Sequence, residues 1–189
     1  MPATRAEASQ RVRDAIVAAT VRIVAREGVA AVTHRRVAAE AGVALSSTTW
    51  HYATKADILE AALVWTAEHE VASIAAIADR LTGFDVAAWA DELADWLLAQ
   101  LGEERELTVA LYRLQAELLG SEGALAVHRQ WGRGLRALGD RVLGEAATVD
   151  VRLVIAALDG LRMSALASGV ADRDWVRAAV RRQLEALLA

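Results

Sequence analysis

The sequence predicts an all-α protein, and three observations support that prediction. Apolar residues recur every three or four positions through almost all of the 189 residues, which is the spacing of amphipathic helices. No run alternates apolar and polar residues between turn signals, as a half-buried strand would. Alanine, leucine and arginine are abundant and favour helices, and the single proline leaves the helical runs unbroken.

Four helices are predicted in the first third of the chain. The first runs from about Ser9 to Arg26 and stops at Gly28, because glycine readily adopts the backbone conformation that closes a helix. Its predicted buried stripe is Val12, Ile16, Ala19 and Ile23. Two short helices at 33–41 and 45–52 and a long helix at 55–81 follow. Thr54 and Asp57 approximate a capping box at the start of the long helix.

Five further helices bring the predicted total to about nine. Their ranges are 86–101, 104–119, 122–143, 150–168 and 173–188, and the breaks between them fall at Gly83, Gly102, Gly120, 144–150 and 169–172. No repeat or low-complexity linker interrupts the chain. The sequence therefore predicts two helical domains, residues 1–54 and residues 55–189, that follow each other directly.

Composition narrows the classes of function. The chain has no cysteine, which excludes a disulfide scaffold, a thiolate zinc site and a cysteine nucleophile. The N-terminus lacks the apolar region of a secretory signal, and charges interrupt every apolar run before it reaches membrane-spanning length. We therefore expect a cytoplasmic protein with no membrane partner, no cofactor and no bound metal.

The charge is unevenly distributed along the chain. The formal net charge is -4, but residues 1–55 contain eight basic and four acidic residues, so this segment carries +4 and the remainder -8. Such asymmetry is expected when one part of a protein meets phosphates and the other part does not. A chance distribution over a solvated surface is the alternative interpretation.

The segment THRRVAAEAGVALSSTTWHYATK, from Thr33 to Lys55, has the pattern of a helix-turn-helix. Two closely crossing helices need a small residue at the crossing and a glycine in the turn, which Ala38 and Gly42 supply. A step of 100° per residue puts Leu45, Thr48 and Tyr52 on the docked side of the second helix. An ordinary helical hairpin with Trp50 packed inside remains the alternative.

The opposite side of this second helix carries Ser46, Ser47 and Trp50, flanked by Thr49 and His51. Hydroxyl groups donate or accept hydrogen bonds in a major groove, and an exposed aromatic ring lies along sugar and phosphate. Thr33 and Lys55 stand at helix N-termini, where backbone amides also attract phosphate. The segment is therefore predicted to contact double-stranded DNA.

These residues resemble the DNA-binding domain of TetR-family transcriptional regulators. The run AGVALSSTTWHYATK is similar, without gaps, to that family's turn, recognition helix, aromatic cluster and lysine, and RIVAREGVAAVTHRRVA resembles its first two helices. Thr48 stands where a leucine is usual, and Thr49 and Trp50 replace a Tyr-His pair. The resemblance covers about the first 55 positions.

The resemblance implies a homodimeric repressor that a small-molecule effector releases from its operator. It carries DNA contacts over to Thr33, Ser47, Thr49, Trp50 and Lys55. The complete predicted DNA-binding set is Thr33, His34, Arg35, Ser46, Ser47, Thr49, Trp50, His51 and Lys55. A twofold dimer places its recognition helices roughly 34–36 Å apart, so the operator is expected to be a near-palindrome.

Helical spacing beyond residue 55 predicts an effector pocket lined by aromatic residues. The predicted lining is Trp65, His69, Trp89, Trp96, Tyr112, His128 and Trp131. Aromatic rings with a few polar groups suit an apolar or aromatic ligand. The alternative is that the tryptophans fill the core and the histidines are satisfied there.

The last two helices are apolar on more than one side, which predicts a dimer surface formed with a second copy. The predicted dimerisation residues are Val154, Leu158, Leu161, Ala165, Val176, Val180, Leu184 and Leu187. Asp159 and Arg162, three residues apart, either neutralise each other at that surface or face solvent.

An enzyme is not expected. Asp91 and Asp95 form a carboxylate pair, and His69 lies between two glutamates, but such charges on amphipathic helices are usually solvated. No His-Glu-x-x-His zinc motif, glycine-rich phosphate loop or Gly-x-Ser-x-Gly elbow occurs. The competing interpretation is a helical ligand-binding or scaffold dimer of the same fold that does not bind DNA.

Overall fold

The computed structural model describes residues 4–80, 85–143, 151–169 and 172–188, and within these ranges the chain is helical, with no strand. The described residues form nine α-helices: α1 (Arg5–Glu27), α2 (His34–Ala41), α3 (Leu45–His51), α4 (Lys55–Arg80), α5 (Val86–Leu101), α6 (Arg105–Glu117), α7 (Glu122–Leu143), α8 (Val151–Ser168) and α9 (Arg173–Leu188). None of these described helices is both long and apolar enough to cross a membrane.

Two local differences from the prediction lie in the N-terminal helices. Helix α1 starts at Arg5 rather than near Ser9, because Thr4 and Glu7 form a capping box in which each side chain accepts from the other's backbone N–H. A single 3-10 turn at Val29–Ala31 follows Gly28. The predicted breaks at Gly83 and 144–150 lie outside the described residues.

The chain divides into two compact units. The N-terminal unit comprises residues 1–68 and 106–127, and the C-terminal unit comprises residues 69–105 and 128–189. Helices α4 and α7 each contribute residues to both units. Each unit has its own hydrophobic core.

The core of the N-terminal unit combines α1, the start of α4 and helix α6. Ile16 and Ile23 of α1 are buried there with Ile58 of α4 and Leu114 of α6. Val37, from α2, joins the same core and is fully buried. Helix α6, which follows α4 and α5 in sequence, is thus packed in the same unit as the helix-turn-helix.

The turn between α2 and α3 is built as the sequence predicts. Thr33 caps α2, since its hydroxyl accepts from the N–H of Arg36 at 3.1 Å. Gly42 ends the helix in the left-handed region, with φ of +67°, and the Val43 N–H donates to the Ala38 carbonyl. Chain reversal at this point depends on the glycine.

A network of ion pairs holds α2 to α1. The Glu40 carboxylate accepts from Arg22 and Arg36, each at 3.0 Å, and Arg36 also donates to Glu27 at 2.6 Å. Hydrogen bonds from Arg22 first and Arg36 second hold the pKa of Glu40 below its ordinary value. Arg22 and Arg36, two of the eight basic residues in residues 1–55, are therefore engaged in ion pairs that stabilise the fold.

Helix α6 is attached to the last turn of α1 by two arginines. Arg113 donates to the carbonyl oxygens of Val24 and Ala25 at 2.8 and 2.9 Å. The Arg26 guanidinium makes two hydrogen bonds to the carboxylate of Glu106. The Arg113 contacts satisfy carbonyl groups at a helix end, where intrahelical partners run out.

The C-terminal unit packs α5, α8 and α9 around one core. The predicted dimerisation rows face into this core: Leu158, Leu161, Ala165, Val176, Val180 and Leu184 are buried, while Val154 and Leu187 are half-buried. These rows are buried within a single chain because α5 packs against α9 and α8. Most of these side chains are therefore buried within the monomer, without contact to a second copy.

Replacing Gly42 by alanine is expected to lower the free energy of unfolding by about 1 kcal/mol, because a Cβ is disfavoured in the left-handed conformation. Gly132→Ala is the matched control: it lies inside α7 with no atom within 4 Å of a new Cβ, so it should raise stability by roughly 0.5–1 kcal/mol. Urea unfolding followed by circular dichroism measures both. Equal shifts in the two variants would contradict the role given to the turn.

Glu40→Gln is expected to lower the urea midpoint at pH 7. The ordinary glutamate pKa is about 4.3, and a lowered folded pKa contributes stability that is present above that value and lost as pH falls through the folded pKa. The difference from the native sequence should therefore shrink below pH ~4. Glu185→Gln, whose pair with Arg181 lies within one helix, should change the midpoint less at either pH.

Candidate functional site

Helix α3 presents a polar face to solvent. Ser46, Thr49 and Trp50 are exposed and Ser47 is half-buried, whereas Thr48 is completely buried. The Thr48 hydroxyl donates to the Leu45 carbonyl at 2.8 Å, so the small residue buries no unpaired hydroxyl. Leu45 differs from expectation: its side chain is 49% exposed, because it lies at the first position of α3, where the helix has just left the turn.

Trp50 lies on the surface of the helix-turn-helix. Its side chain is 76% exposed, and its ring stands edge-on to His51 with centroids 4.5 Å apart. Trp50 is therefore not packed inside an ordinary helical hairpin. An indole that is both exposed and oriented by a neighbouring ring is available to another molecule.

The hydroxyl groups on this face differ in whether they can still donate or accept a hydrogen bond. Thr49 donates to the Ser46 carbonyl at 3.1 Å, which leaves its oxygen as an acceptor. Thr33 accepts from the α2 backbone, which leaves its hydroxyl hydrogen as a donor. The first suits an amino group on a base edge and the second suits a phosphate oxygen.

Two cations next to this face have no ion pair. None of the ion pairs within the described ranges involves Arg35 or Lys55, and Arg35 is exposed while Lys55 is half-buried. Arg22, Arg26 and Arg36 are instead paired with glutamates. Arg5, Arg11 and Arg13 of α1 likewise make no ion pair within the described ranges, so the charge left for phosphates lies on α1 as well as next to α3.

Two histidines in this region are shielded from water. His51 is half-buried, and burial, followed by the charge of Arg13, lowers its pKa. His34 is half-buried as well, and its Nδ1 has no hydrogen-bond partner among the described residues. Burial also raises the pKa of Tyr52. Both His51 and Tyr52 are therefore biased toward their neutral forms.

The predicted effector residues are divided between the two units. Trp65 and Tyr112 belong to the N-terminal unit, and the other five belong to the C-terminal unit. Trp89 and Trp96 are buried in the C-terminal core, and Trp131 packs against that core. His69 and His128 are exposed. The structure thus brings three of the predicted tryptophans together in one core.

Trp131 carries a buried polar atom with no partner. Its Nε1 has no hydrogen-bond partner within the described ranges, and its ring lies 6.0 Å from that of His128. An unsatisfied buried N–H costs free energy. An acceptor atom from a bound molecule would satisfy this group.

A buried ionic cluster lies in the same C-terminal unit. Arg162 of α8 is only 3% exposed, and it donates to Glu70 of α4 at 2.6 Å and also to Gln100 of α5 and Asp159 of α8. Its guanidinium carbon lies 5.5 Å from the centre of the Trp96 ring. Burial, the largest influence, raises the pKa of Glu70, and Arg162 opposes it.

The spacing of Asp159 and Arg162 predicts their pairing, but no sequence pattern connects either residue with Glu70. The one available signal was an arginine inside an otherwise apolar run of α8, since a buried arginine requires acceptors. Nothing in the sequence pointed to Arg113, whose partners are backbone carbonyls on another helix.

A surface groove of about 500 Å³ lies in the N-terminal unit, lined by Gly28, Val29, Ala30, Arg113, Ala116 and Glu117. None of the predicted effector residues lines it. Within the described residues, no group of three or more histidine and carboxylate side chains is arranged to hold a metal ion.

Comparison with known proteins gives a consistent picture for both parts of the chain. The family model described as bacterial regulatory proteins of the tetR family matches residues 16–62. The model described as the tetracyclin repressor-like C-terminal domain matches residues 84–189, more than half of the chain. A comparison with curated protein sequences found no match.

Solved structures extend this likeness over almost the whole chain. The multidrug binding protein EbrR, complexed with ethidium, is 31% identical, with 91% of this chain and 97% of that chain covered and a TM-score of 0.70. EbrR structures with proflavin and malachite green are 30% identical. A TetR-family member from Streptomyces coelicolor is 30% identical, with coverage of 91% and 97% and a TM-score of 0.71.

A regulator from Rhodococcus shares the fold at 21% identity, with coverage of 93% and 95% and a TM-score of 0.74. The N-terminal family model covers the helix-turn-helix described above, and the relatives at 30–31% identity cover about nine-tenths of the chain. The chain belongs to the TetR family of bacterial transcriptional regulators.

Proposed function

We propose that this chain is a homodimeric repressor, acting in the cytoplasm, that binds a near-palindromic operator and is released by a small aromatic effector. Regulators of its family bind DNA and small-molecule effectors, act as dimers and are generally not enzymes. The observation that carries the proposal is the exposed polar face of α3, with Trp50 exposed near the end of the helix.

The proposed DNA contacts fall into two groups. Ser46, Ser47 and Thr49 lie on the exposed side of α3 and are assigned to base edges in the major groove. Thr33, Arg35, Lys55 and Trp50 are assigned to the sugar-phosphate backbone, because the two cations make no ion pair among the described residues and the indole is exposed. His34 and His51 are assigned to positioning, since both are half-buried.

We place the effector in the C-terminal unit. Three indoles, those of Trp89, Trp96 and Trp131, share its core. The Nε1 of Trp131 has no partner among the described residues and could donate to a ligand. EbrR, at 30–31% identity, has been solved with three aromatic dyes. An aromatic effector is consistent with both observations.

The proposed coupling runs along covalently continuous helices. Glu70 and Lys55 belong to the same helix α4, and 15 residues of helix separate them by about 22 Å. A shift of α4 caused by an effector would move the start of the helix, where Lys55 meets phosphate. An effector changes DNA affinity only as far as it binds the two arrangements differently.

The proposed dimer surface is the outward face of α8 and α9. Leu153, Met163 and Trp175 are large apolar residues that are 45–58% exposed. Ala156, Gly160 and Ala167 lie along the same stripe of α8 as Leu153 and Met163 and are also exposed. A second copy of the chain is the occupant we assign to this face, because small residues allow two helices to approach closely and the family acts as dimers.

The proposed function is tested by fluorescence anisotropy with labelled DNA from immediately upstream of the protein's own gene, beside an unrelated duplex, at several salt concentrations. Affinity well above that for the unrelated duplex, with a salt slope of several phosphate contacts, supports a sequence-specific regulator. Absence of binding to either duplex at low salt would favour the scaffold dimer that does not bind DNA.

Trp50→Ala is expected to weaken operator binding about tenfold, equivalent to ~1.4 kcal/mol, because it removes an exposed aromatic contact and leaves the core intact. The thermal unfolding midpoint should stay unchanged. Leu119→Ala, which truncates an 86% exposed side chain of the same unit, is the matched control and should leave operator affinity unchanged. Native affinity of Trp50→Ala would remove Trp50 from the interface.

Met163→Glu is expected to raise the dimer dissociation constant at least about tenfold, because it places a charge in an apolar interface. Sedimentation velocity over a range of protein concentrations measures this. Leu119→Glu introduces the same charge at an exposed leucine in the N-terminal unit and should leave the dimer intact. A Met163→Glu protein as dimeric as the control would show that the second copy binds elsewhere.

A further inference from the structure

We propose that the first three turns of α1 form a second DNA contact, in which Arg5 and Arg13 bind phosphates next to the operator segment that α3 reads. The partner is the sugar-phosphate backbone of double-stranded DNA, and the contact carries no base preference. This inference rests on the proposed function, since it extends the DNA-binding surface beyond α2, α3 and the start of α4. It contributes affinity at every sequence rather than the choice of operator.

One stripe of α1 changes from apolar to basic along the helix. Ile16 and Ile23 lie on it and are buried in the core of the N-terminal unit. Continued toward the N-terminus in steps of three or four residues, the same stripe contains Arg13, Ser9 and Arg5. The two arginines are exposed and Ser9 is half-buried. The first turns of α1 therefore extend past the core and carry a basic stripe, formed by Arg5, Ser9 and Arg13.

Arg13 lies beside the C-terminal end of α3. Helices α1 and α3 are in contact. Burial raises the pKa of Tyr52, and both the charge of Arg13 and a hydrogen bond from its guanidinium oppose this effect. Burial, followed by the charge of Arg13, lowers the pKa of His51. Since the His51 ring lies 4.5 Å from that of the exposed Trp50, Arg13 is at the same end of α3 as the indole assigned to sugar and phosphate.

The hydrogen bond to Tyr52 orients Arg13 without neutralising it. A tyrosine hydroxyl is uncharged at neutral pH, and an arginine has five N–H donors. One bond to Tyr52 therefore leaves the charge and further donors for a phosphate, which arginine binds well. Arg22 and Arg36 differ, because each is bound to a carboxylate. Neither Arg5 nor Arg13 makes an ion pair with any residue that the structure describes.

The acidic residues of these turns lie on the other side of α1. Glu7 accepts from the backbone of Thr4, and Asp14 accepts from Gln10. A step of 100° per residue puts both carboxylates roughly 140–160° from the middle of the basic stripe. Arg11 lies on their side, four residues after Glu7 and three before Asp14. The charge of Arg11 is therefore offset by its neighbours, whereas the charge of the basic stripe is not.

The basic stripe suits the backbone of a duplex. Arg5 and Arg13 are eight residues apart, which is about 12 Å along the helix, and successive phosphates of one strand are separated by about 3.4 Å along the DNA axis. The two side chains can thus reach different phosphates of one strand. Ser9 between them is small, so no bulky side chain holds the duplex away. Charge complementarity next to α3 favours DNA over any other anionic surface.

The test measures the salt dependence of DNA binding. Fluorescence anisotropy of the full-length protein uses the duplex from upstream of its own gene and the unrelated duplex. Each lost phosphate contact lowers the slope of log affinity against log salt by about 0.9. Arg5→Gln combined with Arg13→Gln removes two contacts from each protomer, so the slope should fall by roughly 3–4 for a dimer. Both affinities should fall at least about tenfold, with their ratio unchanged.

Arg11→Gln is the matched control, because it removes the same charge from the opposite side of the same helix. It should leave the salt slope at its native value. Arg5→Lys combined with Arg13→Lys keeps both charges and should also keep the native slope. A loss of slope in Arg11→Gln as large as that for one residue of the basic stripe would show that net charge alone acts, and would overturn the proposal.

The slope also separates a phosphate contact from a role of Arg13 in holding α3. If Arg13 only positions Tyr52, Arg13→Gln lowers the preference for the operator and keeps the native slope, which would overturn the contact. If Arg13→Gln does not fold, Arg5→Gln decides, because the Arg5 side chain has no hydrogen bond or ion pair with any described residue. A native slope in Arg5→Gln would then overturn the proposal.

The proposal and the proposed function fail in distinguishable ways. The native protein alone tests sequence-specific binding, whereas the comparison of variants tests the α1 contact. A native protein that prefers its operator, with a slope that the double substitution leaves unchanged, overturns the α1 contact alone. A native protein that binds both duplexes equally, with a slope that falls in the double variant, keeps the α1 contact and overturns the sequence-specific repressor.

Discussion

The recognition helix α3 is only seven residues long, well short of the dozen or so residues that an isolated helix needs to persist in water. Its conformation is therefore imposed by its neighbours. Thr48 is fully buried, the left-handed Gly42 sets the turn before it, and Val37 anchors α2 to the core of the N-terminal unit. Every contact proposed for the exposed side of α3 depends on this docking.

Because α3 depends on its neighbours, the ion pairs between α1 and α2 support its position although they are not among the proposed DNA contacts. Glu40 binds two arginines from different helices, which fixes α2 against α1. Arg35 and Lys55, next to α3, make no ion pair with any residue that the structure describes. Part of the positive charge of residues 1–55 is thus neutralised by glutamates within the fold.

Helix α6 belongs to this N-terminal unit although it follows α5 in sequence. Arg113 and Arg26 attach it to the last turn of α1, and Leu111 and Leu114 share the core of Ile16 and Ile23. A displacement of α6 would therefore disturb the packing that holds α3.

The sequence by itself determined the helical class, nearly all helix boundaries and the exposed face of α3. These follow from local rules: apolar spacing, caps such as Thr33, and the glycine at position 42. The resemblance to the TetR family could likewise be identified from the first 55 residues, because the helix-turn-helix is one short continuous segment whose motif residues lie close together in sequence.

Only the tertiary structure decided which apolar row of α8 and α9 faces the core, where Trp89 and Trp96 are buried, and which partners Arg162 has. Helices that are apolar on several sides do not reveal which side a neighbour covers, so Leu158 and Val176 were expected at a surface and lie in the core. Glu70 and Arg162 are 92 residues apart in sequence. Their contact depends on how three helices pack, and helical periodicity carries no information about such long-range pairs.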